Sequence, residues 1–96
     1  MALISIFEFD IKPDEKESFF KFLQRILPET RQFPGNVKAQ AARLNDHKFI
    51  VSVEWSRVDA LEKYLEWRKE RGDFAQLLTF LKQEPMISTY ELLIDI

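Results

Sequence analysis

The chain has no cysteine, a single histidine, two glycines among 96 residues and no long apolar run. Without cysteine there is no disulfide framework, no thiolate zinc site and no thiol nucleophile. His47 has no second imidazole or thiolate with which to share a metal, and in an Asn45-Asp46-His47 turn it reads as a solvated surface residue. Gly35 and Gly72 lie thirty-seven positions apart, so no glycine-rich loop cradles a phosphate. A basic surplus is missing too: 14 Lys and Arg stand against 16 Asp and Glu, for a net charge of −2. That balance argues against a nucleic-acid or anionic-lipid partner. No stretch approaches the ~20 apolar residues that a membrane-spanning helix needs. The opening MALISIFEFD has no basic start and is interrupted by Glu8 and Asp10, so it does not read as a secretory signal. A cytoplasmic location is the expectation.

What the chain has in quantity is apolar material: 46% hydrophobic residues, nine of them Phe. Its length predicts one domain over residues 1–96. A domain of this size buries only about 60–65% of its unfolded surface. Some of the apolar excess should therefore remain outside, which predicts association through an exposed apolar face.

Residues 2–11 (ALISIFEFDI) are β-branched and aromatic at both parities, as a strand does when both its faces are covered. Pro13, Asp14 and Glu15 suit a helix N-terminus. Phe19, Phe22, Leu23, Ile26, Leu27, Thr30 and Phe33 then follow at helical spacing, with a kink or break expected at Pro28. Pro34-Gly35 ends that helix. Residues 36–44 and 47–55 read as two strands joined by a turn, the second aligning Phe49, Val51, Val53 and Trp55. Ser56 with Asp59 resembles a capping box opening a helix to about Arg71. A short apolar helix over 74–82 and a last strand over 86–96 complete the chain.

The order β-α-β-β-α-β predicts an α+β, ferredoxin-like sandwich with a four-stranded antiparallel sheet and its helices on one face. Leu3, Phe7, Phe9, Ala39, Ala41, Phe49, Val51, Val53, Trp55, Tyr90, Leu92 and Ile94 are assigned to the helix side. The other side collects Ile4, Ile6, Glu8, Lys38, Gln40, Ile50, Ser52, Glu54, Ile87, Thr89, Glu91 and Leu93. That second face is too apolar for water and too polar for a closed core. A second sheet packed on it, forming a homodimer, would explain the mixture, with Lys38 pairing to Glu8, Glu54 or Glu91. RNA-binding domains share this strand order, but HKFIVSVEW lacks the glycine and the central exposed aromatic they use.

The stretch KYLEWRKERGDF carries the chemistry worth weighing. Glu62, Glu66 and Glu70 form a solvated stripe at i, i+4 spacing. Arg68 falls three residues after Leu65 and seven after Leu61, on the side that faces the sheet, with Tyr64 and Trp67 on its shoulder. A guanidinium there needs a partner. Two readings stand: a structural ion pair, for instance with Asp73, or one wall of a ligand pocket.

Strand 1, KPDEKESFFKFLQRILPETRQFPG, a strand ending in VEW, then SRVDALEKYL and LLTFLKQEP together resemble the antibiotic biosynthesis monooxygenase domain of the dimeric α+β barrel superfamily. The resemblance implies a homodimer joined through the sheet faces. It also implies a cavity between sheet and helices, for which the small Ser5, Ala39 and Ala41 could leave room. It further implies oxidation of a small aromatic, polyphenol- or quinol-like substrate by O2 with no metal or flavin. On this reading Phe7, Trp55, Tyr64, Trp67 and Arg68 bind the substrate, with Arg68 and Tyr64 the candidates for a catalytic role. Relatives carry histidines where this chain has Tyr64 and Lys69. The haem-degrading branch needs a strand-1 Asn and a downstream His, and both are missing here. A non-catalytic dimeric binding or accessory protein on the same scaffold is the alternative.

Overall fold

The protein is described by a computed structural model covering residues 2–96. Met1, where the expected domain begins, lies outside the described residues. The elements are β1 (Leu3–Asp10), a 3₁₀ turn (Pro13–Glu15), α1 (Lys16–Gln32), β2 (Asn36–Arg43), β3 (Lys48–Trp55), α2 (Val58–Glu70), α3 (Asp73–Thr79) and β4 (Met86–Glu91). The strands form one antiparallel sheet in the order β2-β3-β1-β4, the ferredoxin-like topology the sequence predicts.

β1 is central because it carries apolar residues on both faces. It buries Leu3, Ser5, Phe7 and Phe9 toward the helices and leaves Ile4, Ile6 and Glu8 half-buried on the opposite side. Antiparallel register sets Phe9 against Phe49 and Phe7 against Val51, so their side chains share a face. α1 lies over that face through Phe19, Phe22, Leu23, Ile26 and Leu27. Phe19, fully buried, stands 5.2 Å from Phe49, 5.5 Å from Phe9 and 6.1 Å from Phe80 between ring centres. This aromatic cluster ties α1 and the residue that closes α3, Phe80, to the sheet.

Several local expectations change. α1 runs unbroken through Pro28. The residue sits on the exposed side, as does Gln24, so water can take the carbonyl that loses its N–H partner. Ser56 is no cap: α2 begins at Val58 after Arg57 with no side-chain cap, and the Ser56 N–H donates to the Gly35 carbonyl at 2.8 Å. Gly35 has φ +92°, and a Cβ there would stand 2.5 Å from the Ala60 Cβ, so only glycine fits the turn.

The third change is the face of β4. Register places Ile87 beside Phe7, Thr89 beside Ser5 and Glu91 beside Leu3, on the helix side. Met86, Ser88 and Tyr90 therefore point to the open face, the reverse of the sequence assignment. MISTYELLIDI is apolar at both parities, so its pattern could not set the register. A 3.1 Å contact between the Ser5 and Thr89 hydroxyls belongs to the observed one. The strand also ends at Glu91 rather than running to residue 96, with one further bond from Leu92 N–H to Ala2 O at 2.9 Å. Lys38 faces Glu54 in register on the open face.

Candidate functional site

Between the helix side of the sheet and the three helices lies a cavity of about 70 Å³. Phe7, Phe9, Val51 and Val53 form its floor. α1 contributes Phe22, Ile26, Leu27 and Thr30, which fall on one face by their three- and four-residue spacing. α2 contributes Tyr64, Leu65 and Arg68 by the same spacing, and α3 contributes Asp73, Phe74 and Leu77. Leu65 and Phe74 are the half-buried members of the lining and mark where it opens to solvent. Ser5, Ala39 and Ala41, expected to make the room, do not line it. The space instead lies over β1 and β3, where Val51 and Val53 are short beside Phe7 and Phe9.

Arg68 closes one end, 5% exposed, and each of its five N–H groups has an acceptor. Nε–H donates to the Tyr64 hydroxyl at 2.9 Å. Nη1–H groups donate to Glu29 Oε1 and Asp73 Oδ2, both at 2.8 Å. Nη2–H groups donate to the Ile26 carbonyl at 3.0 Å and Thr30 Oγ1 at 3.2 Å. The Thr30 hydroxyl gives its proton to the Ile26 carbonyl at 3.0 Å, so the Tyr64 hydroxyl donates to Thr30 Oγ1 at 2.7 Å. The guanidinium also lies over the Trp67 and Tyr64 rings, 4.6 and 5.2 Å from their centres. One side chain thereby ties α1, α2 and the start of α3 together.

Electrostatics reinforce the knot. Burial opposes the charged form of Asp73, but hydrogen bonds from Arg68 and Arg71 and the charges of Arg68 and Arg25 outweigh it. The carboxyl is held below its usual pKa. For Arg68, burial again opposes the charge, and bonds to Glu29, Tyr64 and Asp73 carry its pKa above the ordinary value. Both groups stay ionised at neutral pH. Tyr64→Phe keeps the ring and removes the hydroxyl, leaving Arg68 Nε–H without an acceptor. It should cost about 1–3 kcal/mol in urea unfolding; an unchanged midpoint would mean that water replaces the hydroxyl.

Of the residues singled out in the sequence, Phe7, Tyr64 and Arg68 reach the cavity. Trp55 is completely buried behind Tyr64, 5.1 Å from it between ring centres, and does not line the space. Trp67 packs on Phe33 at 5.2 Å and lies between Arg68 and Arg71, also off the lining. His47 stays in its turn, where Asn45 Oδ1 accepts its N–H at 2.8 Å. Glu29, Thr30, Phe74 and Leu77 were missed, whereas Asp73 had been named as a partner for Arg68. Helical spacing from Ile26 could have found Thr30, but nothing in the sequence points to α3 as a wall.

A four-stranded antiparallel sheet with its helices on one side, enclosing an apolar cavity, places the chain among α+β proteins of ferredoxin-like topology. The sequence profile described as antibiotic biosynthesis monooxygenase matches residues 2–69, and the chain belongs to that family. Solved structures agree on the fold. A conserved protein from Methanosarcina mazei Go1 superposes with TM-score 0.87 at 18% identity, over 95% of this chain and 92% of its own. A protein of unknown function from Nitrosomonas europaea gives 0.85 at 22%, over 96% and 89%. A variant of SnoaB, a cofactor-independent oxygenase from Streptomyces nogalater, gives 0.82 at 14%, over 95% and 92%. No curated protein matches. The family match ends at Lys69, so α3, the third wall of the cavity, lies beyond it.

Proposed function

We propose that the protein is a cofactor-independent monooxygenase that oxidises a small aromatic substrate with O2 in this cavity, as a homodimer. The observation that carries the reading is the ring-lined apolar cavity between sheet and helices. Membership of the monooxygenase family and likeness in fold to a cofactor-independent oxygenase support it. Phe7 and the Tyr64 ring hold the substrate, Trp55 and Trp67 back Tyr64 and Arg68, and Arg68 fixes the wall against which the ring is oriented. A phenolic ring supplies four electrons. One oxygen atom of O2 becomes the second carbonyl of a quinone. The other leaves as water with the hydroxyl hydrogen and the displaced ring hydrogen. Orientation and exclusion of bulk water are the protein's contribution.

A second reading, a dimeric binding protein, is favoured by the full use of the Arg68 donors, which leaves no free cation among the described lining residues for a phenolate. Oxygen uptake with phenols, naphthols and quinols separates the two: none above the protein-free rate, with any of them, leaves the binding reading.

The open sheet face supports the dimer. Ile4, Ile6 and Ile50 lie half-buried on it, and Tyr90, 56% exposed, stands beside Ile4. Light scattering at micromolar concentration should give twice the mass of one chain. Ile6→Lys, directed into that face, should shift the protein toward monomer; a monomeric wild type contradicts the assembly.

A further inference from the structure

The cavity's polar groups are already spent. Four polar or charged residues reach it, Thr30, Tyr64, Arg68 and Asp73, and they are bonded to one another. Everything else in the lining is a ring or an aliphatic chain. Among the described residues every side-chain donor in the lining is already used, so a ligand's acceptor groups find no free N–H or O–H inside. An anion carried inside would lose its hydration with no free donor to replace it. Size restricts the ligand further. At about 70 Å³ the space is smaller than the ~150 Å³ of a cavity known to hold one benzene. One ring is accommodated only with part of it in the opening at Leu65 and Phe74. Fused rings meet Phe74 and Leu77 of α3, whose start is held by Asp73 to Arg68, Arg71 and Arg25.

We infer that the cavity takes the uncharged form of a one-ring apolar molecule, seated by shape alone with any hydroxyl turned to the opening, and that it rejects anions and fused polycycles. This rests on the reading that the cavity is the ligand site. It narrows the substrate to simple phenols bound neutral, whose hydroxyl proton is given up to water at the opening; alkylbenzenes of the same size bind without being oxidised. α3 acts as the specificity wall.

The test is protein NMR with methyl signals of Ile26, Val53 and Leu77 followed during titration with toluene, p-cresol, benzoate and anthrone. Toluene and p-cresol should shift these signals, with benzoate and anthrone at least about tenfold weaker. Leu77→Phe, which adds volume to the wall, should abolish the toluene shifts while the variant keeps the wild-type fold by circular dichroism. If that variant does not fold, the wild-type titrations decide alone. Benzoate binding as tightly as toluene, anthrone binding as tightly as p-cresol, or no shift with any ligand would each overturn the inference. Oxygen uptake is read separately. Selective toluene binding without any uptake removes the enzyme reading and leaves this one standing.

Discussion

Arg68→Met should lower the stability of the protein by about 3–5 kcal/mol. Methionine roughly replaces the volume of the aliphatic stem but none of the five hydrogen bonds. Asp73, 7% exposed, would lose its shortest ion pair, and Glu29, the Ile26 carbonyl, Thr30 and Tyr64 would each lose a donor. The loss comes from groups left behind more than from the pair itself, because buried ion pairs alone gain little over apolar contacts. Urea unfolding measures it, as a lower midpoint at unchanged slope. A change below about 1 kcal/mol would show that water enters and re-satisfies the cluster. Arg68→Lys should recover little, since a single ammonium cannot span α1, α2 and Asp73 at once.

The second large effect is acid lability traced to Asp73. Its carboxyl pKa in the folded protein is below the unfolded value of about 3.9. The stability this contributes is therefore complete above the unfolded pKa and lost as pH falls through the lower folded value. The charged groups around it are Arg25 and Glu29 on α1, Arg68 on α2, and Arg71 just beyond α2. Wild type should lose stability steeply below about pH 4. Asp73→Asn should be weaker by about 1.5–3 kcal/mol at pH 7, because Arg25, Arg68 and Arg71 then lose one of the two carboxylates they share, the other being Glu29. It should also show a flatter profile between pH 4 and pH 2, with the gap to wild type narrowing as acid removes the wild-type charge. Parallel profiles would mean that other carboxylates govern the acid transition.

How far the sequence carried the fold depended on how one-sided each pattern was. β3 alternates cleanly through Phe49, Val51, Val53 and Trp55, and α1 has a single apolar stripe, so both were legible. β4 was not, because Ile87 and Tyr90 compete for the same face and only pairing with β1 decides between them. For the site, helical phase put Arg68 on the sheet side, and Asp73 was within reach as its partner. Both hold at 2.8 Å. Trp55 and Trp67 were drawn toward a pocket role by ring size alone. Packing made one a backing for Tyr64 and the other a cover for Arg68 and Phe33. α3 was read as a helix but not as a wall. Its place over the cavity depends on long-range ties, Lys82 N–H to Asp10 O and Arg25 to Asp73, that no local spacing encodes.

The lesson in the Arg68 cluster is about how charge reaches an apolar site. A buried arginine beside two aromatic rings invites a role in binding an anion, yet here its donors are consumed by the protein. What remains for a ligand is shape, and the short Val51 and Val53 opposite Leu77 define it.

The most direct test of the account is oxygen uptake by metal-free, flavin-free protein supplied with one-ring phenols and quinols, each corrected for its protein-free rate. Uptake is expected with at least one of them, with one O2 consumed per quinone formed, no hydrogen peroxide released, and that uptake lost in Leu77→Phe. No uptake with any of them, or uptake that Leu77→Phe leaves unchanged, would contradict it.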